Sequence, residues 1–208
     1  MKNNVIRAII FDFGNVLLDF DHTIAARKIS RLCGKEPEEI FQLFFDSGAT
    51  ERFEEGRISA RDFFSEVKKM LGLRIAYREF VPIWNEIFFF SEKNRGVYNL
   101  ARELKKNYKM ALLSNINILH FEYIKTRFAV LDAFDHVVTS YAAGCRKPKE
   151  EIYRQALKIL NTPPERCFYT DDRPELIKAA RNLGIRGFVF RGVAKLNRDL
   201  LNAGVRIN

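Results

Sequence analysis

Four short stretches of the 208-residue chain hold groups able to do chemistry: Asp12, Ser114-Asn115, Lys147 and Asp171-Asp172. Asp12 ends the run Val5-Ile-Arg-Ala-Ile-Ile-Phe, Ser114 follows Met110-Ala-Leu-Leu, and Asp171 follows Cys167-Phe-Tyr-Thr. Short apolar runs of this kind read as buried strands. Lys147-Pro148 reads as the opening of a helix after a further run, His136-Val-Val-Thr. In a parallel sheet, ligands bind outside the carboxyl ends of the strands. A carboxylate, a hydroxyl, an ammonium and two more carboxylates would then share one edge. Asp12 there can be a nucleophile or a metal ligand. Adjacent carboxylates repel unless a cation or a proton compensates, so the Asp171-Asp172 pair favours a metal site over a helix cap. Each group also has a plainer reading. Asp12 can cap a turn, Ser114 or Asn115 can cap a helix, and Lys147 can be solvated.

The elements that must position these groups alternate. Five strands are expected, at the runs ending near Phe11, Leu113, Thr139 and Thr170 and at Gly187-Phe-Val-Phe-Arg. Helical spacing fills the intervals. Asn94 to Lys106 places Val97, Leu100, Ala101 and Leu104 on one face. Pro148 to Leu160 begins with Pro at a first helical position and directs Ile152, Ala156 and Ile159 inward. Pro174 to Leu183 stops at Gly184. Strands alternating with helices predict an α/β fold, a parallel sheet covered on both faces. Asp21 to Phe90 breaks the alternation, being helical with no convincing strand. Within it Ser59 caps a helix with Asp62 three residues on, Phe63, Phe64, Val67 and Leu71 follow, and Gly72 ends it. The interval is too long for a simple crossover. The expected organisation is an α/β core of residues 1–20 and 91–208 with a helical insertion, 21–90.

Composition narrows the function. Hydrophobic residues make up 47% of the chain and charged residues 29%, as in ordinary globular domains. The longest apolar run, Ile87-Phe-Phe-Phe90, is far too short to span a bilayer. Met1-Lys-Asn-Asn leads straight into the first strand without the pattern of a signal peptide. Cys33, Cys145 and Cys167 show no zinc or redox spacing and read as reduced thiols in a cytoplasmic protein. The net charge of +9 is spread among acidic neighbours, without a dense basic run. It suits an anionic small molecule and argues against nucleic acid as the partner. His22, His120 and His136 lack ligand spacing. Glu54-Glu-Gly-Arg57-Ile58 reads as a solvated turn, Trp84-Asn85 and Phe88 to Phe90 as apolar packing.

Taken together, the motifs resemble those of haloacid dehalogenase superfamily phosphohydrolases. The first motif is Ile9-Ile-Phe-Asp12-Phe-Gly14-Asn-Val-Leu, the second Ala111-Leu-Leu-Ser114-Asn115, the third Gly144-Cys-Arg-Lys147-Pro148, and the fourth Phe168-Tyr-Thr-Asp171-Asp172-Arg-Pro-Glu. They occur in family order over nearly the whole chain, and the Asp-x-Gly-Asn-Val form resembles the branch holding glucose-1-phosphatase-like enzymes and the phosphatase domains of epoxide hydrolases. The resemblance implies a Rossmann-like core with a small helical C1 cap and a Mg²⁺-dependent phosphatase, monomeric or homodimeric, acting on a small phosphorylated metabolite, a sugar phosphate being one candidate. It implies that Asp12 attacks phosphorus and that Asp12, the Gly14 carbonyl and Asp172 hold Mg²⁺, with Asp171 behind them or as an alternative ligand. Ser114, Asn115 and Lys147 would bind the phosphoryl group, Lys147 neutralising its charge.

Two positions depart from the family pattern. Family phosphatases carry a second Asp two residues after the nucleophile as general acid and base, and here that position is Gly14. Loss of such help costs typically ~10²–10⁴-fold. Asp19 and Asp21 are the nearest substitutes, with solvated loop acids as the other reading. The usual carboxylate or amide four residues after Asp172 is Leu176. Two other functions stay open: a 2-haloacid dehalogenase-type hydrolase, and a non-catalytic module binding a phosphometabolite or phosphoprotein.

Overall fold

A computed structural model describes residues 5–207. The N-terminal stretch 1–4, expected above to lead into the first strand, lies outside the described residues. The first apolar run gives β1 (Ala8–Phe11), and the chain then turns into β2 (Asp19–Phe20). Five helices follow: α1 (His22–Cys33), α2 (Pro37–Asp46), α3 (Ala49–Glu54), α4 (Ala60–Leu71) and α5 (Tyr77–Asn85). Then come β3 (Phe88–Phe89), α6 (Glu92–Lys105), β4 (Lys109–Ser114), α7 (Ile118–Arg127), β5 (His136–Thr139) and α8 (Ser140–Ala143). The chain continues through α9 (Glu150–Leu160), β6 (Cys167–Asp171), α10 (Pro174–Asn182), β7 (Arg186–Val189) and α11 (Val193–Asn202).

The main sheet has the order β5-β4-β1-β6-β7, and all its pairings are parallel. Its short strands are apolar at every position of the centre because both faces are covered. The side-chain alternation of a strand sorts them. Ile9, Phe11, Met110, Leu112 and Phe168 join a cluster with Val97, Leu104, Ile124 and Leu200. Ala8, Ile10, Ala111, Leu113 and Tyr169 join another with Ile152, Tyr153, Ala156 and Ile177. β1 lies in the middle, so the residue after it, Asp12, sits at the centre of the carboxyl edge.

The helical interval has its own apolar cluster, which includes Phe44, Phe53, Phe63, Phe80 and Trp84. The expected capping box on α4 is present. Ser59 Oγ accepts from the Asp62 amide at 3.1 Å, Asp62 Oδ2 accepts from the Ser59 amide at 3.3 Å, and Gly72 closes the helix at φ +65°. One strand was not expected there. β3 pairs antiparallel with β2, Asp19 opposite Phe89 and Phe20 opposite Phe88. Two residues carry no readable period, which is why the sequence hides them.

Two other details correct the sequence reading. Pro148 does not open a helix. It follows Lys147 through a cis peptide, and α9 begins at Glu150. Ile159, expected to face inward, is exposed, while Ile152 and Ala156 are buried. The helix face is rotated toward Tyr153 and Leu160, both of which are buried.

His120 of α7 joins the helical cluster to the sheet. Its ring stacks on Trp84 at 5.0 Å. Nε2 lies 3.0 Å from the Trp84 carbonyl, and Nδ1 lies 3.1 Å from the Asn117 amide nitrogen. A carbonyl can only accept and the amide nitrogen only donates, so this pattern assigns the neutral ring with its proton on Nε2. Burial holds its pKa down at about 3, with His22 adding to the effect. A histidine buried neutral stabilises the fold above its ordinary pKa of 6.5, and that contribution is lost as pH falls toward about 3. We expect the melting temperature of the wild type to fall more steeply between pH 6.5 and 4 than that of His120→Gln. Parallel curves from differential scanning calorimetry would contradict this.

Candidate functional site

Lys147 and three carboxylates meet at the carboxyl edge. The Lys147 Nζ donates to Asp12 Oδ1 at 2.6 Å, Asp171 Oδ2 at 2.8 Å, the Leu113 carbonyl at 3.0 Å and the Tyr169 hydroxyl at 3.2 Å. The ammonium is buried, and burial alone would release its proton. The Asp12 and Asp171 carboxylates outweigh that and raise its pKa above the ordinary lysine range. Burial pushes the Asp12 carboxyl up to about 7 against the pull of Lys147, with Asp171 adding to the rise.

Each side chain is delivered by a specific local structure. Asp12 directly follows β1, and its amide donates to the Thr170 carbonyl at 2.9 Å. Ser114 is the buried last residue of β4. Asn115 clamps the neighbouring loop: its Nδ2 donates to the Lys147 carbonyl at 3.0 Å, and its Oδ1 accepts the Lys147 amide at 2.8 Å. Asp171 ends β6 with no solvent exposure. Both its oxygens accept hydrogen bonds, Oδ1 from the Arg173 amide at 2.9 Å and Oδ2 from Lys147 and Tyr169. Asp172 is half-buried and is held from one side, Asn15 Nδ2 donating to Oδ2 at 3.2 Å. Burial raises its pKa. Asn15 reaches it from a left-handed conformation at φ 57°, which Asn tolerates better than most residues.

Oxygens of Asp12, Asp171 and Asp172 lie within 4.8 Å of one another. Three carboxylates against the single Lys147 ammonium leave an excess of negative charge, all of it hard oxygen donors. That donor set fits Mg²⁺.

A cavity of about 510 Å³ opens over the cluster. Its walls include Asp12, Gly14, Ser114, Asn115, Lys147 and Asp172, which the sequence had singled out. Phe20, His22, Thr50, Glu54, Arg146 and Arg173 line it as well. Of these, Glu54 belongs to the turn read above as solvated. It is in fact half-buried and lies 3.3 Å from Arg146 Nη1. Glu55 is buried and paired with Lys149 at 2.6 Å and Arg57 at 2.8 Å. Arg57 is local, but Arg146 and Lys149 lie about ninety residues on in the chain, beyond the reach of local pattern. His22 is a wall residue, and burial lowers its pKa to about 4.

Asp19 and Asp21, the expected substitutes for a second acid, are engaged elsewhere and do not line this cavity. Asp19 pairs with Lys93 and accepts from Ser91 Oγ at 2.7 Å and Asn94 Nδ2 at 3.3 Å. Although burial opposes it, this set of donors lowers the Asp19 pKa. Asp21 caps α1, accepting the Thr23 amide at 2.8 Å. At Gly14 the obstacle to a side chain is Phe20. A Cβ there would lie 2.6 Å from Phe20 Cε1, and the Gly14 backbone is outside the left-handed region.

The sequence profile of the haloacid dehalogenase-like hydrolases matches residues 6–184. A D-ribitol-5-phosphate phosphatase of Bacteroides thetaiotaomicron is 26% identical over 190 residues, 88% of this chain and 91% of that protein. A sesquiterpene phosphatase of Aspergillus oryzae is 25% identical, covering 87% and 88% of the two chains. A haloacid dehalogenase family enzyme of Bacteroides thetaiotaomicron, solved with magnesium and inorganic phosphate, superposes with a TM-score of 0.79 at 25% identity, over 89% of this chain and 94% of that one. An L-2-haloacid dehalogenase of Xanthobacter autotrophicus shares the fold at TM-score 0.64 and 19% identity, over 97% and 85%.

Overpacking at Gly14 should be measurable. Forcing an extra carbon into a packed site costs about 1–3 kcal/mol. We expect Gly14→Ala to destabilise the protein by that amount, and a smaller Phe20→Leu ring replacement to remove most of the cost. A double-mutant cycle in urea checks it, and additive effects would count against the contact.

Proposed function

The chain belongs to the haloacid dehalogenase-like hydrolases, and on that premise we propose that it is a Mg²⁺-dependent phosphatase of small phosphorylated metabolites. The observation that carries the reading is the cluster of Asp12, Asp171 and Asp172, with Lys147 paired to the first two and Asp12, Lys147 and Asp172 lining the cavity. The excess of carboxylate is what a divalent cation requires, and the dehalogenase alternative gives no reason for it. The phosphatases among its relatives support the same choice.

In this reading Asp12 attacks phosphorus with its carboxylate oxygen, and the ester bond to the alcohol breaks. Lys147 holds the nucleophile in place and offsets negative charge on the transferred group. Ser114 and the backbone N–H of Asn115 bind phosphoryl oxygens. Asp12, the Gly14 carbonyl and Asp172 would hold Mg²⁺, with Asp171 orienting Lys147. When bound, the cation supplies neutralisation of charge on the phosphoryl oxygens. Water then hydrolyses the aspartyl-phosphate. Residues 21–90 act as a cap, since His22, Phe41 and helix α3 wall the cavity. The mixed apolar and charged lining suits a small organic phosphate, a sugar or polyol phosphate among the candidates. Among the described residues no helix is long and apolar enough to cross a membrane. The thiols of Cys33, Cys145 and Cys167 are all free, which supports a reducing, cytoplasmic setting.

Hydrolysis of p-nitrophenyl phosphate with and without Mg²⁺ tests the function. We expect activity that requires the cation, and Asp12→Asn should lower kcat by at least about 10³-fold when assayed below its melting temperature, which the loss of a buried Lys147 partner lowers. An active Asp12→Asn protein would exclude the nucleophile assignment.

The two neighbouring carboxylates should separate in their effects. Asp172→Asn should weaken Mg²⁺ activation by about 10–100-fold, by analogy with losses of metal-site support. Asp171→Asn removes a buried partner of Lys147 and should mainly destabilise the fold. Mg²⁺ titrations and thermal melts of both variants check this, and a larger metal effect at Asp171 would reverse the assignment.

A further inference from the structure

An alkyl phosphate needs a proton delivered to its leaving oxygen, and position 14 cannot supply one. Phe20 fills the space a side chain there would take. Asp19 and Asp21 are committed to Lys93 and to the start of α1. Two carboxyls of α3 also line the cavity, Glu51, which is exposed, and Glu54, which is half-buried with Arg146 at 3.3 Å. Glu54 ends α3, lines the same cavity as Asp12, and keeps 23% of its side chain exposed.

The neighbouring Glu55 shows what an anchoring carboxylate looks like in this segment. Its side chain is fully enclosed and tied to Lys149 and Arg57. Despite burial, these cations lower its pKa. Next in the chain is Gly56, at φ +67°, where a Cβ would lie 2.3 Å from the Tyr141 carbonyl. The end of α3 is therefore pressed against α8 of the sheet layer at a glycine and held by an ion pair to Lys149. That contact seats the end of α3, where Glu54 lies, against the sheet layer. Glu54 itself has a different environment. Burial raises its pKa, Arg146 and Arg173 oppose the rise, and Glu51 and Glu55 reinforce it. Adjacent carboxyls driven in opposite directions divide the work between a charged anchor and a proton carrier. The other ionisable groups on the cavity wall are Asp12, His22, Glu51, Lys147 and Asp172.

We propose that Glu54 is the general acid and base of this site, supplied from the helical layer in place of the residue missing at position 14. The assignment rests on the phosphatase reading above. In the first step the Asp12 oxygen bonds to phosphorus, the bond from phosphorus to the leaving oxygen breaks, and that oxygen takes the Glu54 proton. In the second, Glu54 takes a proton from water as the water oxygen attacks phosphorus. The bond from phosphorus to Asp12 breaks, phosphate departs, and Glu54 is again protonated. No oxidant or further reactant is needed.

The test compares a p-nitrophenyl ester with a simple alkyl phosphate in wild type, Glu54→Gln and Arg146→Gln, all with Mg²⁺. Glu54→Gln keeps the shape and removes the transferable proton. It should lower kcat/KM for the alkyl ester by about 10²-fold or more and for the aryl ester by less than about 10-fold, since a good leaving group needs little protonation. The decline of the alkyl rate with rising pH, caused by ionisation of Glu54, should disappear in this variant. Arg146→Gln breaks the same ion pair but keeps the acid, so its two rates should fall by similar factors. Equal losses for both esters in Glu54→Gln, or the selective loss in Arg146→Gln as well, would overturn the proposal and leave Glu54 a positioning residue. A wild type that hydrolyses neither ester would overturn the phosphatase reading itself and this proposal with it.

Discussion

A buried ammonium between two buried carboxylates sets the terms for this molecule. Lys147 has four acceptors and almost no water, so the charge is tolerable only while Asp12 and Asp171 face it. Removing one partner from such an arrangement leaves an uncompensated buried charge, which costs far more than the pair contributes. The rest of the edge serves that geometry. The central position of β1 presents Asp12, the end of β6 presents Asp171, and the Asn115 amide grips the backbone of Lys147 on both sides. A parallel sheet is suited to the task because its strand ends are fixed by hydrogen bonds and need no loop to hold them.

Much of this arrangement is legible in the chain itself. The apolar runs ending at Phe11, Leu113, Thr139 and Thr170 end as strands within a residue of where the pattern puts them, although β1 begins only at Ala8, and the central ones stand out because strands buried on both faces are apolar throughout. The carboxylates and lysine at their ends follow from topology. What local pattern does not carry is contact between distant segments. Glu54 looks like a surface acid beside Glu55 and Arg57, and only Arg146, far along the chain, makes it a cavity wall. The start of α9 was misplaced for a related reason: Pro is common at a first helical turn, but Lys147 is pinned by its own bonds and the chain cannot begin to coil until Glu150. The role of Asp19 likewise depends on distant partners, Ser91 and Asn94 at the start of α6.

Gly14 illustrates how a missing side chain can be part of a packing solution. Phe20 occupies the space, packs near Phe88 at 6.1 Å and His22 at 5.0 Å, and so joins the β2–β3 ribbon to the cavity wall. A side chain at position 14 would require this ring to move. The chemistry of the site and the seating of the helical layer are therefore coupled through one aromatic residue.

The ribbon itself has an architectural consequence. Since β2 and β3 pair side by side, the chain leaves the sheet layer and returns to it at points one interstrand spacing apart, ~4.8 Å. The five helices between them hang from a single narrow stem. Whatever is inserted at such a stem closes its own loop, and the entropy of closure grows only slowly with length. Evolution can lengthen, shorten or exchange the inserted helices while the strand register and the carboxylate edge stay as they are. The stem thus leaves the lengths of the inserted helices independent of the strand register, except at the end of α3, where Glu54 and Glu55 meet Arg146 and Lys149.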